Sequence, residues 1–410
     1  MFYLDEQTQS YIIFFIAILC TVGYCVMVFC MLVSIITTFC LRRRILFHKK
    51  SDSFLSTDSY PGVSIIKPLM GLDPLLEENL ESHFRIQYPK FELLFCFPDD
   101  QDPAINLVKR LIEKFPHVDA KIFTGGKEGI VNPMVFNMAP GYDNAQYDCV
   151  WICTSRIKAN TDIIVDMASK LQHPSVALVH QMPFTTDISG FAAAVEKIYF
   201  GCAMARFYPA FNTLGLCCCT GMSYMFKKSL LDELKGLNYY GRYLAEDFFL
   251  TSALHEKGHK LVLSAYPAQQ NIASLTLRAF KDRMVRWTRL RLNMIPLVAG
   301  FLEPLSDCVP SGLIGGWTFY HFFGVHMYYF FPIHVLAMLW VDYLQLRMVQ
   351  NGPPPFSKLK YVLYWVFREL MATFIYLEAI LKPRTIPWGK KVFKVTLGGH
   401  TTLVTDKAHD

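Results

Sequence analysis

The sequence predicts an α/β domain held between membrane helices at its N-terminal and C-terminal ends. Hydrophobic residues make up 52% of the chain and charged residues only 18%, which is typical of an integral membrane protein with a soluble part. The apolar residues are concentrated at 11–40 and again from 311 onward. Between these regions, short apolar runs alternate with segments of helical spacing, which indicates strands alternating with helices in a mainly parallel sheet.

The N-terminal apolar segment, residues 11–40, carries no charged side chain. A membrane helix needs about 20 residues, whereas the apolar core of a signal peptide has about 7–15, so a transmembrane helix is predicted. Three arginines follow the segment at 42–44, and two acidic residues precede it. Because positive residues favour the cytosolic side, we expect residues 1–10 in the lumen and the basic linker 41–60 in the cytosol.

Residues 61–290 are predicted to form the soluble α/β domain, with a helix over 102–115. Its buried strands are predicted from three apolar runs, at 63–66, 93–97 and 150–153. Ligands bind at the carboxyl ends of parallel strands, and two polar segments fall there. The acidic loop 98–103 can hold a ribose, a metal-linked diphosphate or only solvent. Thr154, Ser155 and Arg156 follow the third run.

Two short blocks carry the chemistry. Glu246 and Asp247 lie in the run YLAEDFFL, and Arg283, Arg286 and Trp287 form an R-x-x-R-W pattern further on. A carboxylate can take a proton from an acceptor hydroxyl, and arginines can hold a departing diphosphate. The tryptophan offers a flat apolar face to a sugar or a lipid. The two blocks therefore predict sugar transfer from a nucleotide donor. Because an apolar stretch follows the second block, the reaction is expected at a membrane surface.

Residues 291–310 are predicted to be an interfacial segment. Three closely spaced arginines lead into it, at 286, 289 and 291, and are expected at the level of the lipid headgroups. The apolar side chains that follow are expected to enter the acyl region, as in interfacial helices. The alternative is a soluble helix that packs on the sheet.

The remaining C-terminal region is predicted in three parts. Residues 311–348 are largely apolar and long for one span, which favours a transmembrane hairpin. Residues 359–381 are apolar around Arg368 and Glu369, which predicts a membrane or interfacial helix, or one packed with its charges inward. The C-terminal tail, 382–410, is then expected in the cytosol near the site.

Composition also excludes some classes of function. The net charge of +6 is modest and no basic run is interleaved with aromatics, so nucleic acid is not an expected partner. The 12 cysteines do not fall into paired spacings, which indicates free thiols in a reducing compartment and no zinc site. A transporter would need more spans and internal repeats than this chain shows.

The chain resembles the ceramide glucosyltransferases, which are GT-A glycosyltransferases. The resemblance implies a GT-A domain that transfers glucose from UDP-glucose to the primary hydroxyl of ceramide with inversion. It also implies a multi-pass protein of the Golgi membrane, with membrane lipid as a partner. The basic residues 42–50 predict that the catalytic domain faces the cytosol. The matching segments run in family order: PGVSIIKPLMGLDP (61–74), YPKFELLF (88–95), CTGMSYMFKK (219–228), YLAEDFF (243–249), RMVRWTRLR (283–291) and DYLQLR (342–347).

The family pattern has three spaced aspartates before the R-x-x-R-W block. The resemblance implies that Asp102 is the first and that Asp247 is the third, the catalytic base. Thr154 stands where the second is expected, so Asp102 and Thr154 are the implied UDP-sugar-binding residues. The implied diphosphate and product contacts are Arg283, Arg286 and Trp287.

The change at Thr154 bears on the cofactor that the resemblance implies, Mg²⁺ or Mn²⁺. Asp102 is the candidate ligand, but threonine carries no negative charge and is a poor partner for either ion. Three functional interpretations stay open. The chain is an active ceramide glucosyltransferase, a catalytically weakened paralogue, or a related membrane polysaccharide synthase, since R-x-x-R-W also occurs in synthases of chitin-like and cellulose-like polymers.

Overall fold

The computed structural model describes residues 5–48, 60–187, 189–273, 275–389 and 391–404. Its first helix, α1 (Glu6–His48), has 43 residues and spans about 64 Å, roughly twice the thickness of a bilayer core. Among the described residues, two segments are long and apolar enough to cross a membrane, Glu6–Arg43 of α1 and Met327–Gln350. The predicted linker 41–60 begins inside α1, and its residues 49–59 lie outside the described residues, as do 1–4 and 405–410.

The soluble region alternates strands and helices. Its strands are β1 (Val63–Pro68), β2 (Phe91–Cys96), β3 (Asp119–Phe123), β4 (Cys149–Cys153), β5 (Val176–His180), β6 (Pro183–Thr185), β7 (Ser223–Lys227), β8 (Lys260–Leu263) and β9 (Ala268–Gln270). Its helices are α2 (Leu76–Phe84), α3 (Ala104–Lys114), α4 (Pro133–Asp143), α5 (Thr161–Leu171), α6 (Phe191–Ile198), α7 (Tyr208–Thr213), α8 (Lys228–Glu233), α9 (Gly236–Tyr240), α10 (Glu246–Glu256) and α11 (Leu277–Met294). The three strands predicted from apolar runs are β1, β2 and β4, and the predicted helix is α3.

Seven of these strands form one mixed sheet in the order β3-β2-β1-β4-β7-β5-β8. Neighbours pair in parallel except β7, which runs antiparallel to both β4 and β5. Helices α2, α3 and α5 contribute to the core on one face, and α4, α9 and α10 to the core on the other. Every residue of β1 and β4 is therefore buried, which explains the apolar sequence of β4 and the mainly apolar sequence of β1. The predicted α/β class is confirmed.

The C-terminal region begins with α12 (Glu303–Leu305), α13 (Cys308–Phe323), α14 (Met327–Gln350) and α15 (Lys358–Leu381). The predicted hairpin 311–348 falls within α13 and α14, which a short turn joins and which pack against each other and against α1. Tyr24 of α1 hydrogen-bonds to Nδ1 of His334 in α14 at 2.9 Å. The first helix of the chain is therefore part of the C-terminal helix bundle.

The charged residues in the middle of α15 are buried. Arg368 pairs with Glu369, and both Glu369 and Asp342 of α14 pair with Arg206 of the soluble domain. The Arg206–Asp342 pair is bidentate, with N–O distances of 2.9 and 2.6 Å. Because unpaired buried ions are costly, these side chains point toward each other, and α15 packs with its charges inward.

A three-stranded antiparallel sheet follows α15: β10 (Thr385–Trp388), β11 (Lys391–Val395) and β12 (Thr401–Val404). It folds back onto the soluble domain. The backbone N–H of Gly398 donates to the carbonyl of Asn293 in α11 at 2.9 Å. Tyr243, just before α10, forms an antiparallel bridge with His400. The tail lies beside the helices that carry both predicted chemical blocks.

The expectation that Arg289 and Arg291 reach lipid headgroups is wrong. Arg289 donates to the backbone carbonyls of Thr385 and Glu378 at 3.0 and 3.1 Å. Arg291 forms an ion pair with Glu303. Helix α11 is largely buried between the soluble domain and α15. Its closely spaced arginines hold the C-terminal segments in place and are not free for lipid.

Candidate active site

Glu246 and Asp247 begin helix α10. Both carboxyl groups lie in the first turn, where free backbone N–H groups and the helix dipole favour negative charge. Oδ1 of Asp247 accepts a hydrogen bond from the N–H of Phe248 at 2.8 Å. Oδ2 faces Gly221, where a Cβ would lie only 3.1 Å from that oxygen. Glycine at this position therefore leaves room for the carboxylate.

Burial raises the pKa of both carboxyl groups. The pKa of Asp247 rises to about 6, because hydrogen bonds from the backbone of Phe248 and Gly221 offset only part of the effect of burial. Burial, and then the charge of Asp247, raise the pKa of Glu246 well above its usual range. Asp247, with a pKa of about 6, is mainly deprotonated at neutral pH. A carboxylate with this pKa is suited to general-base catalysis near neutrality.

Glu246 connects α10 to α4. Its Oε2 accepts a hydrogen bond from Nδ2 of Asn132 at 2.6 Å, and Asn132 also donates to the carbonyl of Tyr243 at 2.9 Å. Oδ1 of Asn132 accepts from the N–H of Met134, which caps α4. Glu246 therefore holds the start of α10 in place, so that its neighbour Asp247 faces the site.

Thr154 lies next to Asp247. Its backbone N–H donates to the carbonyl of Met222 at 3.0 Å, and Met222 follows Gly221, the residue that faces Asp247. The buried Lys67 donates to the carbonyl of Thr154 at 2.9 Å, which fixes the loop after β4. The Thr154 hydroxyl is buried and has no hydrogen-bond partner within the described part of the chain. It is therefore available to a ligand.

Asp102 joins the loops that follow β1 and β2. Its Oδ2 accepts from the N–H of Gly71 at 2.8 Å, and its Oδ1 accepts from the N–H of Ala104 at 2.9 Å. Gly71 has a φ of +69°, which only glycine adopts readily. Both oxygens of Asp102 thus have backbone partners, and the side chain shapes the carboxyl edge of the sheet.

The side chains at this edge do not fit a divalent metal ion. Over the described residues, no group of three or more histidine, cysteine, aspartate or glutamate side chains is placed to hold one. Each oxygen of Asp102 accepts one backbone hydrogen bond, and Thr154 offers only a neutral hydroxyl, a weak ligand for Mg²⁺ or Mn²⁺. Protein cations are therefore candidates to balance the charge of a diphosphate.

Arg283 is buried and already paired. Its Nη2 lies 2.6 Å from Oε1 of Glu196, and its Nη1 donates to Oε1 of Gln270 at 3.3 Å. The guanidinium also lies 5.6 and 5.7 Å from the ring centroids of Phe200 and Trp287. Sequence analysis did not single out Glu196, although an acid in the apolar run FAAAVEKIYF was a signal of a buried pair. Most of the charge of Arg283 is compensated within the protein.

Arg286 has no carboxylate partner within the described ranges. Its guanidinium lies over the ring of Trp388 in β10, 4.9 Å from the centroid. Burial, and then the charges of Arg283 and Arg156, lower the pKa of Arg286 to about 10, so it stays protonated at neutral pH. Trp287 is partly exposed, and its ring packs edge-on against Phe200 rather than standing free.

Arg156 joins these arginines, and sequence analysis assigned it no role. Its neighbour Ile157 bridges to Gln270, the residue whose side chain binds Arg283. Burial by the surrounding protein, and then the charge of Arg283, lower the pKa of Arg156, although its side chain is solvent-exposed. The available signal was a cation at the carboxyl end of a buried strand.

The profile of Glycosyl transferase family 21 matches residues 22–401. The chain belongs to glycosyl transferase family 21. The match extends from α1 through the sheet and the C-terminal helices to the first residue of β12, so the membrane helices are part of the family pattern. The resemblance seen in the sequence is confirmed: the chain is a glycosyltransferase, and its α/β domain is of the GT-A type.

Individual relatives agree with the family match. Ceramide glucosyltransferase 3 of Caenorhabditis elegans is 42% identical over 380 residues, which cover 92% of this chain and 81% of the relative. Ceramide glucosyltransferase 1 of the same organism is 44% identical over 348 residues, which cover 83% of this chain and 72% of the relative.

Among solved structures, the fold is similar to that of mannosyltransferase PcManGT from Pyrobaculum calidifontis in complex with GDP-Man and Mn²⁺. The match covers 89% of this chain and 98% of the mannosyltransferase chain, with 14% sequence identity and a TM-score of 0.47.

The structure places the predicted site residues along one edge of the sheet. Asp247 faces Gly221, Thr154 binds the backbone of Met222, and Arg283 and the neighbour of Arg156 both contact Gln270. The roles in catalysis and UDP-sugar binding stay predictions.

Proposed function

We propose that this chain transfers glucose from UDP-glucose to the primary hydroxyl of ceramide, with inversion at the anomeric carbon. The product is glucosylceramide, the first product of glycosphingolipid synthesis. The observation that carries the proposal is the 42% identity to a ceramide glucosyltransferase over 92% of the chain. The buried Asp247, with a pKa of about 6, supports it as a base of suitable strength.

Asp247 takes the proton of the ceramide hydroxyl as its oxygen attacks the anomeric carbon. A carbon–oxygen bond forms on one face of the sugar while the bond to the diphosphate breaks on the other, which inverts the configuration. The transition state has oxocarbenium character, as in other glycosyl transfers. The electron pair of the breaking bond leaves with UDP, and positive groups near the diphosphate stabilise the charge that develops there.

A membrane-embedded acceptor requires a site at the membrane surface. After α11, the side chains of Leu297, Phe301 and Leu302 are 75%, 65% and 60% exposed. Exposed apolar side chains that cluster next to membrane helices are suited to contact with acyl chains. We infer that these residues, and not the arginines before them, meet the lipid from which ceramide is taken.

We infer further that α1 and the hairpin of α13 and α14 cross a Golgi membrane and that the soluble domain faces the cytosol. The basic residues Arg42 and Arg43 follow the apolar part of α1, as expected on the cytosolic side. All 12 cysteines are free thiols, which fits a reducing compartment. UDP-glucose is available on that side of the membrane.

The test is product analysis with the full chain reconstituted in nanodiscs. Radiolabelled UDP-glucose is supplied with ceramide, and lipids are separated by thin-layer chromatography and identified by mass spectrometry. We expect labelled glucosylceramide with a β-linkage. No labelled lipid, from a folded protein that binds UDP-glucose, contradicts the proposal and identifies a weakened paralogue. A labelled polymer that stays with the membrane would instead identify a polysaccharide synthase.

The acceptor surface is tested in the same assay. Leu297→Glu and Phe301→Glu are expected to reduce the use of long-chain ceramide in membranes, because a charge in the acyl region is costly. Soluble short-chain ceramide is expected to be affected less. The control is Leu214→Glu, an exposed apolar residue after α7 that is remote in sequence from this segment. Equal loss with both ceramides would contradict the assignment.

A further inference from the structure

We propose that Arg156, together with Arg286, binds the diphosphate of the sugar donor and supplies the positive charge that a divalent metal ion would otherwise supply. This inference rests on the proposed function in one respect only, that the donor is a nucleoside diphosphate sugar. It concerns the binding of the donor and is independent of the acceptor.

The backbone holds Arg156 at the carboxyl end of the sheet. Its carbonyl accepts a hydrogen bond from the N–H of Asn271 at 2.7 Å, and the next residue, Ile157, bridges to Gln270. Gln270 in turn accepts a hydrogen bond from Arg283. The loop after β4 is thus joined to α11 through β9. Two separate blocks of the sequence, T-S-R and R-x-x-R-W, are thus connected through Gln270.

The three arginines near Gln270 outnumber the carboxylates that act on them. Of the three arginines, Arg283 has a dedicated partner in Glu196 at 2.6 Å. Arg156 and Arg286 form no hydrogen bond or ion pair through their guanidinium groups within the described residues. Asp73 is the other carboxylate that acts on Arg156, so three arginines are balanced by only two carboxylates, Glu196 and Asp73. A doubly charged anion would relieve the repulsion between the arginines.

The loop after β4 begins with Thr154, Ser155 and Arg156, which include a cation and no acid. Thr154 stands where the family pattern has an aspartate, and Arg156 follows two residues later. The buried Thr154 hydroxyl, which has no partner in the described part of the chain, is free to donate a hydrogen bond to a phosphate oxygen. Guanidinium groups bind phosphate through paired, charge-assisted hydrogen bonds. The loop is therefore suited to direct contact with a phosphate and unsuited to contact through a metal ion.

In the reaction, Arg156 and Arg286 act on the leaving group. The bond between the anomeric carbon and the β-phosphate oxygen breaks, and its electron pair stays on that oxygen. The proton of the acceptor hydroxyl goes to Asp247, so atoms and charge balance without any further reactant. The two guanidinium groups remain protonated and neutralise the charge that builds on UDP.

The experiment measures binding of UDP and of uridine to the full chain in nanodiscs, in the presence of EDTA and then of Mn²⁺. Wild-type protein is expected to bind UDP nearly equally well in both conditions. Arg156→Gln is expected to weaken UDP binding about 10- to 100-fold, as for the loss of charge-assisted hydrogen bonds. Uridine has no phosphate, so its binding should not change. Arg156→Lys should restore only part of the UDP affinity, since lysine lacks the planar fork.

The matched control is Arg278→Gln. Arg278 also lies in α11, but its side chain is 91% exposed and 3.9 Å from Asp282. This variant loses the same charge and should bind UDP as the wild type does. A second comparison is the double variant Thr154→Asp, Arg156→Gln, which restores an acid and removes the cation. It should regain UDP affinity when Mn²⁺ is added.

Two results would overturn the inference: UDP binding by Arg156→Gln that equals the wild type, or wild-type binding that EDTA abolishes and Mn²⁺ restores. Parallel loss of uridine and UDP binding would also overturn it, because it indicates a general defect in the fold of the site. Failure of the proposed function has a different signature, namely intact UDP binding without glucosylceramide.

Discussion

The guanidinium of Arg286 lies over the indole of Trp388, 4.9 Å from the ring centroid. This contact joins the helix of the R-x-x-R-W sequence to the strand that follows the last helix of the bundle. Because no carboxylate holds Arg286 within the described residues, the indole is the group that orients it. The C-terminal sheet therefore contributes a side chain to the proposed donor site.

Trp388→Ala is expected to raise KM for UDP-glucose and to lower kcat/KM about 3- to 30-fold, the range of a cation–π contact worth roughly 0.5–2 kcal/mol. Trp388→Phe should retain most of the activity, since an aromatic face remains. Initial rates at varied UDP-glucose check this. Trp340→Ala is the control, because Trp340 is 64% exposed on α14. Unchanged kinetics in Trp388→Ala would show that Arg286 is oriented by another group.

Asp247→Asn is expected to lower kcat by about 10²–10⁴, the usual cost of removing a general base. Its KM for UDP-glucose should change little, because asparagine has nearly the same shape. Glu256→Gln at the exposed end of the same helix is the matched control. Single-turnover measurement of glucosylceramide formation provides the test, and undiminished turnover would remove Asp247 from the role of base.

The dependence of kcat/KM on pH should show a rising limb near pH 6. The base must be deprotonated to act, and the pKa of Asp247 is raised to about 6, so activity is low below that pH and reaches a plateau above it. Glu246→Gln should leave the limb near pH 6, because burial, and then the charge of Asp247, raise the pKa of Glu246 and favour its uncharged form. A limb that shifts to lower pH in Glu246→Gln would show that Glu246 carries charge.

Asp342→Asn is expected to destabilise the helix bundle by about 3–5 kcal/mol, because Arg206 is left as a partly unpaired buried ion. The double variant Arg206→Met, Asp342→Leu should be more stable than Asp342→Asn. Thermal unfolding in nanodiscs checks the order of the three proteins. A double variant less stable than the single one would mean that the two side chains contribute through contacts other than their pairing.

Much of the fold could be predicted because buried parallel strands have a simple signature. The apolar runs at 63–66 and 150–153 are β1 and β4, and the helix at 102–115 is α3. The carboxyl ends of those strands then indicated where Asp102 and Thr154 lie. The periodicity of strands and helices depends on local sequence, so it was accessible without the structure.

The pairing of charged side chains was not accessible in the same way. Glu196 is 87 residues before Arg283 in the chain, and Arg206 is 136 residues before Asp342, yet each pair is in contact. Nothing local distinguishes an arginine that meets a lipid headgroup from one that binds a backbone carbonyl, which is why the expectation for Arg289 failed. Arg156 was passed over because its neighbours in space come from β9 and α11.

One contact of α11 also restricts the number of times that the chain can cross the bilayer between α11 and β10. Arg289 in α11 donates to the carbonyl of Thr385, the first residue of β10. The polypeptide therefore leaves the soluble domain near Met294 and rejoins it at Thr385 on the same side of the membrane. Between those residues, α13, α14 and α15 make an even number of complete crossings. Two crossings by α13 and α14, with α15 starting and ending on one side, satisfy this parity, whereas three crossings would place β10 and α11 on opposite sides of the bilayer.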